Sequence, residues 1–213
     1  MVEVYVNILQ VVLLIIAFVI SFRYALGYRS REWAVAAFFY AVFIMADLFW
    51  MLIILFYHHN PVFYISEIGW YSAWLFLSLL LIMLASEDER IHRYKLLSIF
   101  PIFTLSMMTF FIALRGDPAG NVVSMLAMTF LMLRSGRGII YLSRPESDAA
   151  GDRKERKLFY IMVMVYCIIE YCEWVISCFW MGDTMRNPYF WFDILLSVIM
   201  LLLVPALRKA VNR

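Results

Sequence analysis

Hydrophobic residues in this chain fall into seven long runs separated by short polar connections. The runs cover about residues 4–26, 33–57, 64–85, 95–114, 121–143, 158–181 and 188–207. A helix that crosses a bilayer needs roughly 20 apolar residues. The pattern therefore predicts an all-α integral membrane protein, with residues 1–213 forming a single domain of seven transmembrane helices. No basic residues precede the first run and no small-residue cleavage site follows it. It also exceeds the roughly 7–15-residue apolar stretch of a signal peptide, so it reads as a retained helix.

Composition points the same way. The chain is 65% hydrophobic and 16% charged, against roughly half and a quarter for a soluble domain. This excludes a large soluble core. The net charge of +2 is uninformative, but the placement of the charges is not. Of the 18 Lys and Arg residues, 14 fall at one set of span ends: Arg23, Arg29, Arg31, Arg90, Arg93, Lys95, Arg144, Arg153, Lys154, Arg156, Lys157, Arg208, Lys209 and Arg213. Only Arg115 and Arg186 fall at the other ends, and Arg134 and Arg137 lie inside span five. Basic residues mark the cytoplasmic side, which gives an N-out, C-in orientation. That orientation requires an odd number of spans, and seven satisfies it. The expected location is the plasma membrane, or the cytoplasmic membrane of a bacterium, with the lipid bilayer as the first partner.

The connections are short, so neighbouring spans should pack as antiparallel hairpins. The longest, 143–157, carries Pro145, Gly151 and many charges. It reads as a solvated cytoplasmic loop and a docking place for a cytoplasmic partner. The run Ser86–Arg90 reads as a solvated turn.

The chain also reads as a duplication. Span two carries Asp47-x-x-Trp50, and Asn60-Pro61 then opens span three with Phe63 and Glu67. Span six carries Glu170 and Glu173-Trp174, and Asn187-Pro188 then opens span seven with Phe190 and Asp193. Asn-Pro is by itself a common helix start, but the whole acid–aromatic–Asn-Pro–acid order occurs twice. The implied plan is 3+1+3, a parallel repeat with halves 1–85 and 121–207 and a linker helix at 95–114.

Candidate chemistry lies in the acids. In span six, Tyr166, Glu170, Glu173, Ser177 and Trp180 recur at helical spacing, so they form one polar-aromatic stripe. Carboxylates at that depth are costly unless they face protein, water or a ligand. At about 1.5 Å per residue, Asp47 lies roughly 21 Å above the inner end of span two, and Glu170 and Glu173 lie roughly 18 and 22 Å up span six. Glu67 and Asp193 lie near the outer ends of spans three and seven, and Asn7 and Gln10 of span one share that zone. Span three carries Glu67, Trp70, Tyr71, Trp74 and Ser78 on one face, and Trp50 is one turn from Asp47. The expected ligand-binding set is thus Asp47, Trp50, Glu67, Trp70, Trp74, Tyr166, Glu170, Glu173, Trp174, Ser177 and Asp193. The acids' shared depth in the outer half predicts a cavity open to the outside, and such an outward-facing acidic pocket walled by aromatic rings suits a cation. The plainer reading of Glu67, Trp70, Trp191 and Asp193 is that they belong to the membrane interface, where aromatics concentrate.

Arg134 is an ion-pair candidate for an acid of span six or two, or else it snorkels with Arg137 toward the inner surface. Gly136 and Gly138 allow close helix approach. Pro101 and Pro205 should bend spans four and seven.

Other chemistries are set aside. The histidines His58, His59 and His92 all fall in connections, so an intramembrane zinc site is not expected. No phosphate-cradling Gly-rich loop or nucleophile elbow is present. Span seven has no lysine before Lys209. Cys167, Cys172 and Cys178 share one helix and read as packing residues. No cofactor, metal or nucleic-acid partner is expected. In topology alone, the layout resembles small seven-helix carriers of the sugar-porter or vitamin-porter type, and rhodopsin-like receptors.

Three functions fit. The first is binding and transport of a small cationic or proton-coupled solute. The second is a seven-helix ligand sensor or partner subunit. The third is an intramembrane enzyme using Glu170 and Glu173 as acid and base.

Overall fold

The computed structural model describes residues 2–57, 63–91, 97, 99–115, 118–144, 150–180 and 182–211. These form helices α1 (Val2–Tyr28), α2 (Arg31–Tyr57), α3 (Phe63–Leu84), α4 (Glu87–Ile91), α5 (Ile99–Arg115), α6 (Pro118–Leu142), α7 (Ala150–Phe179) and α8 (Pro188–Val211). No strand occurs among the described residues. Six of the helices, α1, α2, α3, α6, α7 and α8, are long and apolar enough to cross a membrane. The fourth expected span is the shorter α5, of 17 residues.

Local chemistry sets the helix starts. Ser30 caps α2, its Oγ accepting from Trp33 N–H at 3.3 Å. Arg29, with φ of 51°, closes the tight turn before it. Asn187 caps α8, its Oδ1 accepting from Tyr189 N–H at 3.0 Å, and Pro188 occupies the first helical position, where its missing N–H costs nothing.

The six long helices close into a ring. Each packs on the next in the order α1, α2, α3, α6, α7, α8, and α8 returns to α1. Helix α5 leans on α6 from outside the ring, with Phe103, Phe110 and Phe111 against Tyr171, Phe179 and Trp174 of α7. Contacts at the two ends show that α2 runs opposite to α1 and that α8 runs parallel to α1. Trp50, late in α2, donates to Glu3 at the start of α1. At the opposite end the Tyr24 ring of α1 packs at a tilt against Trp33 of α2, and the Arg208 guanidinium of α8 lies over Tyr24.

The ring is apolar outside and mixed inside, the reverse of a soluble bundle. In α1, Ile8, Val12, Ile15 and Val19 are exposed, while Asn7, Gln10, Leu14, Ala17 and Ser21 are buried. Each set follows a three-to-four-residue step, so lipid-facing and ring-facing stripes lie on opposite sides of one helix. This is the exterior of a helical membrane protein.

Three local expectations are corrected. The second half of the 143–157 connection is helical, because α7 starts at Ala150. After Gly151 the segment is made of charged residues, mostly good helix formers with no breaker among them. Ser86–Arg90 is no simple turn either. Glu87–Ile91 forms one helical turn in which Glu89 N–H donates to Ser86 Oγ and the Glu89 side chain is buried. Pro101 lies in the first turn of α5, where no internal hydrogen bond is lost, so it does not bend a span. Pro205 does lie inside α8. The pairs His58-His59 and Asn60-Pro61 fall outside the described residues.

Candidate functional site

The ring brings four carboxyl groups together from three helices. Asp47 of α2 has Asp193 of α8 and Glu170 of α7 as its charged neighbours. Glu173 of α7 has Asp193, Glu170 and Asp47. All four are buried, with 3% to 8% of their surface exposed.

Neutral donors surround them. Trp70 Nε1–H of α3 donates to Asp47 Oδ1 at 2.9 Å. Trp74 Nε1–H donates to Tyr166 Oη at 2.8 Å, and Tyr166 in turn hydrogen-bonds Glu170, one turn along α7. Tyr189 hydrogen-bonds Glu173, and Gln10 of α1 hydrogen-bonds Asp193. The second oxygens of Asp47, Glu170 and Glu173 have no hydrogen-bond partner. Neither does Ser124 Oγ of α6, which is fully buried. Every helix of the ring therefore contributes a polar side chain to this layer.

A narrow cleft borders the layer. Beside Glu170 lies a cleft lined by Trp74, Ser124, Met125, Met128, Tyr171 and Trp174. Its non-atom space is about 160 Å³, but it is too narrow for a water molecule. A close helix contact sets one wall. A Cβ on Gly69 would lie 2.7 Å from Ala46 Cβ, so α2 and α3 approach closely one residue before Asp47 and one before Trp70.

The residues expected from sequence are placed as follows. Asp47, Trp70, Trp74, Tyr166, Glu170, Glu173 and Asp193 form one connected group. Trp50 stands beside it, its ring centroid 6.0 Å from that of Trp70 and its Nε1–H donating to Glu3 Oε1 at 3.0 Å. Trp174 walls the cleft. Glu67 is buried one turn before Trp70. Ser177 Oγ donates to the Trp174 carbonyl at 2.7 Å. Trp191 is exposed, as an interfacial aromatic would be.

Arg134 is not brought to these acids. It lies roughly 24 Å along α6, where its charged neighbours are Arg137, Arg90 and Glu89. Its guanidinium sits 4.9 Å over the Phe130 ring.

A second cluster ties α4 to the bundle at that far end. Tyr160 Oη donates to Glu89 Oε2 at 3.3 Å, and Arg156 Nη1 donates to the Leu84 carbonyl at 3.2 Å. Arg137 Nη1 donates to the Arg90 carbonyl at 3.1 Å. Burial pushes the Glu89 carboxyl above the usual range, against the lowering effects of its Tyr160 hydrogen bond, Arg156, the Ser86 contact and Arg137. Gly138 makes room for the Tyr160 ring, which a Cβ would meet at 2.5 Å.

Sequence reasoning missed Glu3, Gly69, Ser124 and Tyr189. The small residue at Gly69, one before Trp70, was a readable sign of close helix approach. Glu3 and Tyr189 sit near helix starts, and Ser124 is an ordinary serine in an apolar run. Nothing local marked these three.

Compared with known proteins, the chain matches no protein family, no curated protein and no solved structure.

Proposed function

We propose that this chain is a small multi-pass membrane carrier that binds a cation, a proton or a small cationic solute, at the Asp47–Glu170–Glu173–Asp193 group. One observation carries the reading. Four buried carboxyl groups are one another's charged neighbours, and their hydrogen-bond donors are tryptophan, tyrosine and glutamine. Like-charged carboxylates in a low-dielectric interior repel strongly, and neutral donors do not cancel their charge. Protons or a bound cation would. Buried intramembrane acids mark such pathways.

Two further features support a carrier. By the positive-inside rule, the loop charges favour an outer position for this end of the ring. The packing order α1, α2, α3, α6, α7, α8 is the one that a two-fold axis along the ring would generate from two three-helix repeats. That axis would pair Asp47 on α2 with the α7 acids and Glu67 on α3 with Asp193 on α8.

The test is made in proteoliposomes under an imposed pH gradient. Proton movement is followed with and without a panel of small amines. Wild type should move protons or exchange an amine for them, and the E173Q variant should lose most of that flux. Equal flux in wild type, E173Q and protein-free vesicles would remove the carrier reading.

A second reading has an observation of its own. Helix α7 runs unbroken for 30 residues, from its charged start through Glu170 and Glu173. A ligand at the acids would act directly on a rod whose basic end lies at the other face, as a sensor requires. Recovery of a stoichiometric partner that binds residues 143–157, with no flux in vesicles, would favour it.

A further inference from the structure

The acid layer extends upward in one direction. Glu3, in the first turn of α1, is a charged neighbour of Asp193 and of Tyr189. It is held in place from two sides. Its Oε1 accepts from Trp50 Nε1–H at 3.0 Å, and its backbone N–H donates to Asp183 Oδ1 at 2.9 Å. Glu3 is half-buried, whereas Asp47, Glu170, Glu173 and Asp193 are all buried. A chain of acids thus starts at the rim with Glu3. It continues through Asp193 to Glu173 and Asp47, then to Glu170, Tyr166 and Trp74. Below Tyr166 the ring interior is closed by apolar side chains such as Val163 and Leu131, both fully buried.

The cleft beside Glu170 does not admit a water molecule, so it holds no organic amine in this state. Among the described residues no three His, Cys, Asp or Glu side chains are grouped so as to hold a metal ion. The unpartnered oxygens still require something. Ser124 Oγ lies in the same cleft wall as Glu170, is buried and has no partner, and the second oxygens of Asp47, Glu170 and Glu173 share that state. A proton fits without volume. It cancels one charge and turns an acceptor oxygen into a donor for its neighbour.

We propose that the ligand of this site is the proton itself, and that Glu3 is the surface group through which it reaches the buried acids. This rests on reading the four carboxyl groups as a cation site. Each step is a transfer between carboxyl groups. The O–H bond of a protonated Glu3 breaks as an O–H bond forms on the Asp193 carboxylate, and the negative charge moves back to Glu3. The same exchange then passes the proton to Glu173, Asp47 or Glu170. The groups facing this path are Gln10 from α1, Trp50 from α2, Trp70 and Trp74 from α3, Ser124 from α6, Tyr166 from α7, Tyr189 from α8 and Asp183 from the α7–α8 connection.

The experiment is a rapid pH jump on the purified full chain in detergent, read by a pH-indicator dye. It gives the number of protons bound per chain and their rate. Wild type should bind more protons than the D47N/E170Q/E173Q/D193N variant by one or more per chain. The single variants E170Q and D193N serve if the fourfold one does not fold, each lowering the number. E3Q keeps an acceptor for Trp50 but exchanges no proton, so it should slow buried uptake tenfold or more. If the acid variants lower the number but E3Q leaves the rate unchanged, Glu3 is not the way in and the cation site stands. If the acid variants bind as many protons as wild type, the site reading falls and this proposal with it. Calorimetry with methylammonium gives the remaining arm: binding that E170Q abolishes would overturn the assignment of the proton as ligand.

Discussion

Adding one methyl group at Gly69 tests whether the α2–α3 contact positions the acid layer. The new Cβ would lie 2.7 Å from Ala46 Cβ and 3.3 Å from both Ala46 Cα and the Val42 carbonyl oxygen. Carbon atoms prefer separations of about 3.5–4.0 Å, so the two helices must part by about 1 Å. Overpacking of that kind costs about 1–3 kcal/mol. Trp70 is the next residue, and its bond to Asp47 is 2.9 Å long. Lengthened by the same amount it is no longer a hydrogen bond, a further loss of about 0.5–1.5 kcal/mol. The sum for Gly69→Ala is about 1.5–4.5 kcal/mol, or roughly ten-fold or more in the folding equilibrium at about 1.4 kcal/mol per decade. The assay is reversible unfolding in mixed micelles, followed by helical circular dichroism. Ala46→Gly removes the opposing methyl, so the double variant should recover most of the loss. Strict additivity within about 0.5 kcal/mol would refute the reasoning, as would a Gly69→Ala protein as stable as wild type.

Other changes have equally definite outcomes. Tyr166→Phe and Trp74→Phe each break the 2.8 Å bond between those residues, so a double-mutant cycle on stability should show coupling of about 1 kcal/mol. Tyr40→Phe removes the hydroxyl that donates to the Met200 carbonyl at 2.8 Å, and should cost about 0.5–1.5 kcal/mol in the same unfolding measurement. Gly138→Ala drives a Cβ into the Tyr160 ring, and limited proteolysis should show the α4 segment opened. Glu89 gives a pH effect with a fixed sign. Burial raises its pKa in the folded chain, so the folded state holds the proton after the unfolded state has lost it. Its contribution to stability is greatest below the unfolded pKa and declines as pH rises toward the folded one. Glu89→Gln should flatten that decline, and a stability-versus-pH curve parallel to wild type would count against it.

The sequence made the helices legible because a lipid-facing helix must be apolar along its length, and few other structures need 20 such residues in a row. The acids were legible for the complementary reason, since a carboxyl group inside such a run has to be accommodated by something. Asp47, Glu170 and Glu173 stood out on that ground alone, and they meet Asp193 in one layer. Their neighbours were harder to see. Which helix follows which around the ring is not written in hydrophobicity, so the Trp74–Tyr166 bond across 92 residues had no local sign. The span-five arginine shows the same limit. Its depth along α6 could be counted, but which groups lie at that depth on other helices could not. The charged residues 152–157 misled for a different reason. Charge patterns report solvent exposure, and a helix that projects past the membrane is as solvated as a loop.

The place of α5 outside the ring has a consequence for how the chain is threaded. Helix α3 finishes at the end of the bundle where Tyr24 and Trp33 meet, yet α6 must set out from the end where Glu3 and Trp50 meet. Helix α5 carries the chain back to that starting line without occupying a position in the closed circle. A chain cut between α4 and α6 and expressed as two pieces would therefore still hold every wall of the circle. Deleting α5 from an uncut chain would instead send α6, α7 and α8 in upside down, and Glu170 and Glu173 would emerge at the wrong level to meet Asp47.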